Sequence, residues 1–208
     1  MVAALIFDLD GVVRNRDLSI VSDAERRHGL PAGSIAQVAF EPATLSAVIT
    51  GRTTDEQWRA AVAATLADAH GPGAHAAVAQ WSVACGTVNA EVLEIVRTER
   101  RARRVALLTN ATSRLGNDLA ALGIDAEFDA VFNSAEMGVA KPDPGAFALA
   151  CAGLGVEARG CLFVDDNAPN VEGARRIGLR AHRFETVQGL SAFLRAHQSD
   201  AGAGPVPD

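Results

Sequence analysis

With 208 residues and a net charge of −6, the chain can fold as one domain or as a domain with a modest insert. Its 49% hydrophobic and 21% charged residues exclude wholesale disorder, and no apolar run approaches the roughly 20 residues of a membrane-spanning helix. The acidic balance speaks against broad nucleic-acid binding and requires any anionic ligand to meet a locally positive site.

The opening MVAALIFDLDGVV lacks a basic leader and carries carboxylates within its apolar stretch, so it does not read as a signal peptide. Residues 3–7 are an apolar run ending in Asp8, the pattern of a short parallel strand covered on both faces. Residues 14–86 then hold helical stretches and no strand pattern. Ser22 with Glu25 and Thr53 with Glu56 have capping-box spacing. Trp58, Val62 and Leu66 share one helix face and read as core. Gly29-Leu30-Pro31 and Gly71-Pro72-Gly73 break the helices.

Residues 89–103 form a crossover helix; its basic end, RTERRARR, reads as a complement to the helix dipole. A second strand at 105–108 ends in Thr109-Asn110, and a helix at 113–122 starts at a capping Ser113 and stops at Gly123. A third at 130–132 ends in Asn133-Ser134, and Asp143-Pro144 opens the next helix. A fourth at 162–164 ends in Asp165-Asp166, followed by a helix capped by Asn167. A weaker strand at 179–184 and a helix from Thr186 complete the pattern. Alternating strands and helices specify an α/β fold, a doubly wound (Rossmann-like) parallel sheet of about five strands with a small all-helical insert. The expected division is 1–13 and 88–198 for the sheet domain, 14–87 for the insert and 199–208 for a flexible tail.

Cys85, Cys151 and Cys161 match no metal or redox spacing and read as small buried residues of a cytoplasmic protein. His70 and His75 lack ligand spacing. Among 19 basic residues, Lys141 is the single lysine, which singles out its ammonium.

In an open parallel sheet, ligands bind beyond the carboxyl ends of the strands. That rule collects Asp8, Asp10, Thr109, Asn110, Asp165 and Asp166 at one rim, with Lys141 within reach. Clustered carboxylates repel unless a cation bridges them, and hard oxygen donors favour Mg²⁺. A magnesium site with a nucleophile, a lysine and a hydroxyl beside it suits phosphoryl transfer.

FDLDGVV at 7–13, LLTN at 107–110, Lys141-Pro142-Asp143-Pro144 and VDDN at 164–167 resemble, in order, the four motifs of the haloacid-dehalogenase-like (HAD) hydrolase superfamily. The resemblance implies a phosphatase with Asp8 as nucleophile and Asp10 as general acid and base. Thr109, Asn110, Lys141 and the Gly11 amide would bind the phosphoryl group. Mg²⁺ would be held by the Asp8 carboxylate, the Asp10 carbonyl and Asp166, with Asp165 set behind, though the last two are interchangeable at this level. The substrate would be a small-molecule phosphate ester, and the helical insert would be the cap that selects it. The segment ITGRTTDEQWRAAV is similar to caps of sugar-phosphate phosphatases and of phosphatase domains beside epoxide hydrolases. Arg14-Asn15-Arg16 departs from the usual acidic-serine turn and reads as a solvated hinge.

Four other readings compete. A phosphomutase or phosphotransferase would share the site but transfer to a hydroxyl. A dehalogenase releases halide, needs no proton and generally lacks the acid that Asp10 supplies. A non-catalytic regulatory module would have little use for the full set of Asp8, Asp10, Lys141 and Asp166. A response-regulator receiver domain places its acidic pair after the first strand and its lysine last, which is not the order here.

Overall fold

The computed structural model describes residues 2–17 and 19–197; the tail expected at 199–208 lies outside them. In chain order the elements are β1 (Ala4–Phe7), β2 (Arg14–Asn15), α1 (Ser19–His28), α2 (Ser34–Ala39), α3 (Pro42–Ile49), α4 (Asp55–His70), α5 (Gly73–Val83) and β3 (Thr87–Val88). They continue through α6 (Ala90–Arg100), β4 (Arg104–Thr109), α7 (Leu115–Leu122), β5 (Ala130–Asn133), α8 (Ser134–Met137), α9 (Pro144–Leu154), β6 (Cys161–Asp165), α10 (Ala168–Arg176), β7 (Arg180–Arg183) and α11 (Val187–Ala196).

Five of these strands form one parallel sheet in the order β5-β4-β1-β6-β7. Strand β1 is central, and every residue of it is buried. The alternate side chains of β1, β4 and β6 feed two separate cores. Leu5, Phe7, Leu107, Leu162 and Val164 pack on one face; Ile6, Leu108, Phe147, Phe163 and Val171 pack on the other. Burial on both faces explains why these strands read as continuous apolar runs. The chain runs outward from β1 through β4 to β5, then crosses back to β6 and β7. The reversal lies between β1 and β6, where such sheets open a ligand crevice.

Helices α1 to α5 pack around a third core of their own, built on Trp58, Val62, Leu66, Val78 and Trp81. The expectation of no strand between residues 14 and 86 needs correction. Arg14 and Asn15 pair antiparallel with Val88 and Thr87, where the chain enters and leaves the helical segment. A two-residue ladder joined across some 70 residues of sequence has no periodicity to announce it.

Local capping also differs from the spacing patterns. The box on α4 is Thr54 with Gln57, one residue beyond the expected pair. Ser22 lies inside α1, and the buried Glu25 carboxylate instead accepts from the Gly33 and Ile35 amides at 2.8 and 2.9 Å, serving the start of α2. Ser113 does not cap α7; its hydroxyl accepts from the Asp55 amide at 3.0 Å and so serves α4 of the insert. Asn167 stands at the start of α10 without a side-chain cap bond. Asp143 and Thr186 do cap α9 and α11. The basic stretch at 97–104 is tied down by acids, with Arg97 on Glu94 and Glu127, Arg100 on Asp129 and Arg103 on Glu99. No described helix is long and apolar enough to cross a membrane.

Candidate active site

The carboxyl ends of β1 and β6 put Asp8 and Asp165 on adjacent strands, because Phe7 pairs with Val164. Lys141, arriving before α9, is buried between them. Its ammonium lies 2.8 Å from Asp8 Oδ1 and 2.6 Å from Asp165 Oδ2, and 5.4 Å from the centre of the Phe163 ring. Asn110 positions this lysine through its backbone: Nδ2 donates to the Lys141 carbonyl and Oδ1 accepts from the Lys141 amide, both at 2.8 Å. The Lys141-Pro142 bond is cis.

Asp165 is fully buried. Beyond the lysine it accepts from the Asn167 amide at 2.8 Å and from Asn170 Nδ2 at 3.0 and 3.2 Å. Asp166 is exposed and carries no such network. One carboxylate oxygen each from Asp8, Asp165 and Asp166 lies within 4.8 Å of the other two. Three carboxylates against one ammonium leave negative charge uncompensated. The Asp8 carboxyl accordingly rises from 3.8 to about 6, chiefly through burial and against the opposing pull of Lys141, with Asp165 pushing the same way as burial. Asp166 is also raised, by burial first and by Asp165 second. Buried carboxylates crowded by another carboxylate behave in this way. An all-oxygen donor set with surplus negative charge fits a small divalent cation such as Mg²⁺.

Asp10 stands apart from this cluster. Its carboxylate is held by Arg14 Nε at 2.7 Å, Arg14 Nη2 at 3.0 Å and Arg16 Nη2 at 2.6 Å. Burial pushes its carboxyl up, but the hydrogen bonds from Arg16 and Arg14 outweigh that and keep it below the usual range. Arg14 also reaches Asp118 at 3.1 Å and is 3% exposed. The expectation of a solvated hinge at residues 14–16 therefore fails for Arg14, a buried clamp. Its contact partner on α7 is remote in sequence, so spacing could not reveal it.

Gly11 adopts φ +79°, and a Cβ there would fall 2.2 Å from Asp166 Oδ2. Its amide, expected to face a phosphoryl group, instead donates to the Arg14 carbonyl at 2.8 Å, closing the turn after β1. Thr109 is buried at the end of β4, next in sequence to Asn110, which lines a rim with Asp8, Asp10, Gly11 and Asp166. Asn170 escaped the sequence reading. Its only cue was its place in the first turn of a helix, five residues beyond an aspartate.

Residues 2–178 match the family model described as haloacid dehalogenase-like hydrolase. The chain belongs to that family. A curated relative, a phosphatase of Mycobacterium tuberculosis, is 40% identical over 40% of this chain and 39% of its own length, so the chain spans well under half of the curated relatives it matches. A HAD family enzyme of Bacteroides thetaiotaomicron, solved as a magnesium complex, superposes with a TM-score of 0.75 at 19% identity, over 93% of this chain and 98% of that one. The L-2-haloacid dehalogenase of Xanthobacter autotrophicus gives a TM-score of 0.64 at 25% identity, over 99% of this chain and 85% of that one. Within the HAD family, therefore, both phosphatases and dehalogenases share features with this chain. The side chains at the rim have to separate them.

Proposed function

We propose that the chain is a Mg²⁺-dependent HAD phosphatase acting on a small phosphate ester, with residues 14–87 as its cap. The observation that carries this reading is the buried Lys141 ammonium shared by Asp8 and Asp165, with Asp166 completing a three-carboxylate oxygen site. Asp8 and Asp166 would hold the ion together with the Asp10 carbonyl. Asp165, committed to Lys141 and Asn170, would stand behind them. The ion would supply charge neutralisation for a phosphoryl group.

Asp8 would attack phosphorus through a carboxylate oxygen, forming an aspartyl-phosphate as the ester P–O bond breaks. Lys141 orients Asp8 and offsets the charge of the transferred group. Asp10 would give its proton to the departing alkoxide and later take one from the water that cleaves the acyl-phosphate. For that, Asp10, held ionised by Arg14 and Arg16, must first take up a proton as the ester binds. Thr109 and Asn110, at and just after the end of β4, would be phosphoryl partners, Asn110 through its backbone because both ends of its side-chain amide hold Lys141. The relative named a phosphatase and the neighbour solved with magnesium support this assignment, and three free thiols fit a cytoplasmic setting.

Release of inorganic phosphate from simple esters with Mg²⁺, abolished by EDTA and by Asp8→Asn, is the expected result. Likeness to a dehalogenase favours a second reading, in which chloride is released from 2-chloropropionate. The presence of an acid at Asp10 argues against it, because halide leaves without a proton. Transfer to a sugar hydroxyl without phosphate release would mark a mutase.

A further inference from the structure

Beside the candidate rim, between the helical segment and the stretch from Asn110 to Asp118 that follows β4, lies a cavity of about 300 Å³. That is far larger than a packing defect and reaches the lower end of ligand-sized sites. Asn110 and Arg16 line both the cavity and the rim, so a group leaving from a phosphoryl centre at Asp8 would enter it.

Its apolar wall is furnished by Phe40, Leu45, Ile49, Trp58 and Trp81. The two indoles meet edge to face at 5.4 Å, and Phe40 lies 6.4 Å from each. Trp58 Nε1 is satisfied by the Ala39 carbonyl, so this indole offers the cavity carbon rather than a donor. Phe40 is nearly half exposed, an apolar ring left without full cover.

The cationic groups around the cavity are already engaged, the half-exposed Arg16 with Asp10 at 2.6 Å. Arg59 pairs with Asp55 at 2.6 Å and lies over the Trp81 ring at 4.4 Å. Arg114 pairs with Asp118, and Arg14 with Asp10 and Asp118. A second carboxylate or phosphate on the substrate would have to displace one of these acids.

Resting on the phosphatase reading, we infer that the preferred substrate is the monoester of an uncharged, apolar alcohol, aromatic or branched aliphatic, seated against the Phe40, Trp58 and Trp81 rings. The phosphoryl group would pass from the ester oxygen to Asp8, the alkoxide would take the Asp10 proton, and the alcohol would remain in the cavity until released. Water would then yield inorganic phosphate and restore both carboxyl groups.

The test compares 2-phenylethyl phosphate with glycerol 3-phosphate and phosphoserine in Mg²⁺, because all three leave as alkanols. Acetyl phosphate, whose leaving group barely enters the cavity, serves as the reference. We expect kcat/KM for 2-phenylethyl phosphate to exceed the polar esters by about tenfold or more, the worth of roughly two buried methylene groups. Leu45→Trp, which fills the cavity, should raise its KM by about tenfold. Both tryptophans of the chain line the cavity, so 2-phenylethanol alone should shift intrinsic fluorescence saturably, without any turnover. Equal use of polar and apolar esters, or no saturable shift, would overturn the inference while leaving the phosphatase reading intact. No hydrolysis of any compound, acetyl phosphate included, would instead sink the phosphatase reading; the fluorescence titration would still report on the cavity.

Discussion

Asn110 and Lys141 hold each other through a reciprocal pair of hydrogen bonds, side-chain amide to backbone, both 2.8 Å long. The pair fastens the end of β4 to the loop before α9 and sets where the ammonium can reach. Asn110→Asp keeps the acceptor but leaves the Lys141 carbonyl without its donor. Stability should fall by about 1–3 kcal/mol, and kcat should drop about tenfold or more. Chemical denaturation and steady-state kinetics on one preparation would check both.

Lys141→Arg retains the charge and should still be severely impaired, by about a hundredfold or more in kcat. The ammonium is a compact point between Asp8 and Asp165 under the Phe163 ring, and a planar guanidinium has no room there. Wild-type kinetics in this variant would show that the position needs charge alone.

The raised Asp8 carboxyl predicts a pH effect on the metal-free protein. Between pH 3.8 and about 6 the unfolded chain loses the Asp8 proton while the folded one keeps it, so stability falls as pH rises and levels off above. The full difference is about 3 kcal/mol. Asp8→Asn should therefore melt higher than the parent in EDTA at pH 8, with the gap closing towards pH 4, in the same variant that should lose turnover. Calorimetry across that pH range is the measurement.

Asp165 and Asp166, adjacent in sequence, should fail differently. Asp166→Asn alters an exposed side chain; the melting temperature should barely move while the Mg²⁺ needed for half-maximal activity rises about tenfold. Asp165→Asn leaves Lys141 and Asn170 poorly matched in the interior and should cost about 3 kcal/mol. Reversed results would exchange their roles.

Gly11→Ala places a methyl group 2.2 Å from Asp166 Oδ2 on a backbone at φ +79°. The left-handed conformation costs roughly 1–2 kcal/mol, and Asp166 must move aside. A weakened response to Mg²⁺, read by activity titration or by metal-induced thermal stabilisation, is the expected signature.

The strand runs around Ile6, Leu107 and Phe163 were legible because burial on both faces leaves an unbroken apolar word ending in a polar residue, and the half-buried edge strand at Phe132 carries the same word. The same punctuation located Asp8, Asp10, Thr109, Asn110, Asp165 and Asp166, and parallel connectivity required them to share one end of the sheet. Lys141 stood out by composition alone. What remained hidden were contacts between residues far apart in the chain: Arg14 on Asp118, Ser113 on the first turn of α4, and the Arg14–Asn15 ribbon with Thr87–Val88. Local propensity is blind to such pairings, since each depends on where a helical segment settles against the sheet. The division between Asp165 and Asp166 has the same origin. Neighbours on an extended backbone point to opposite sides, and only the packing of α10 and Lys141 made one of them interior and left the other facing water.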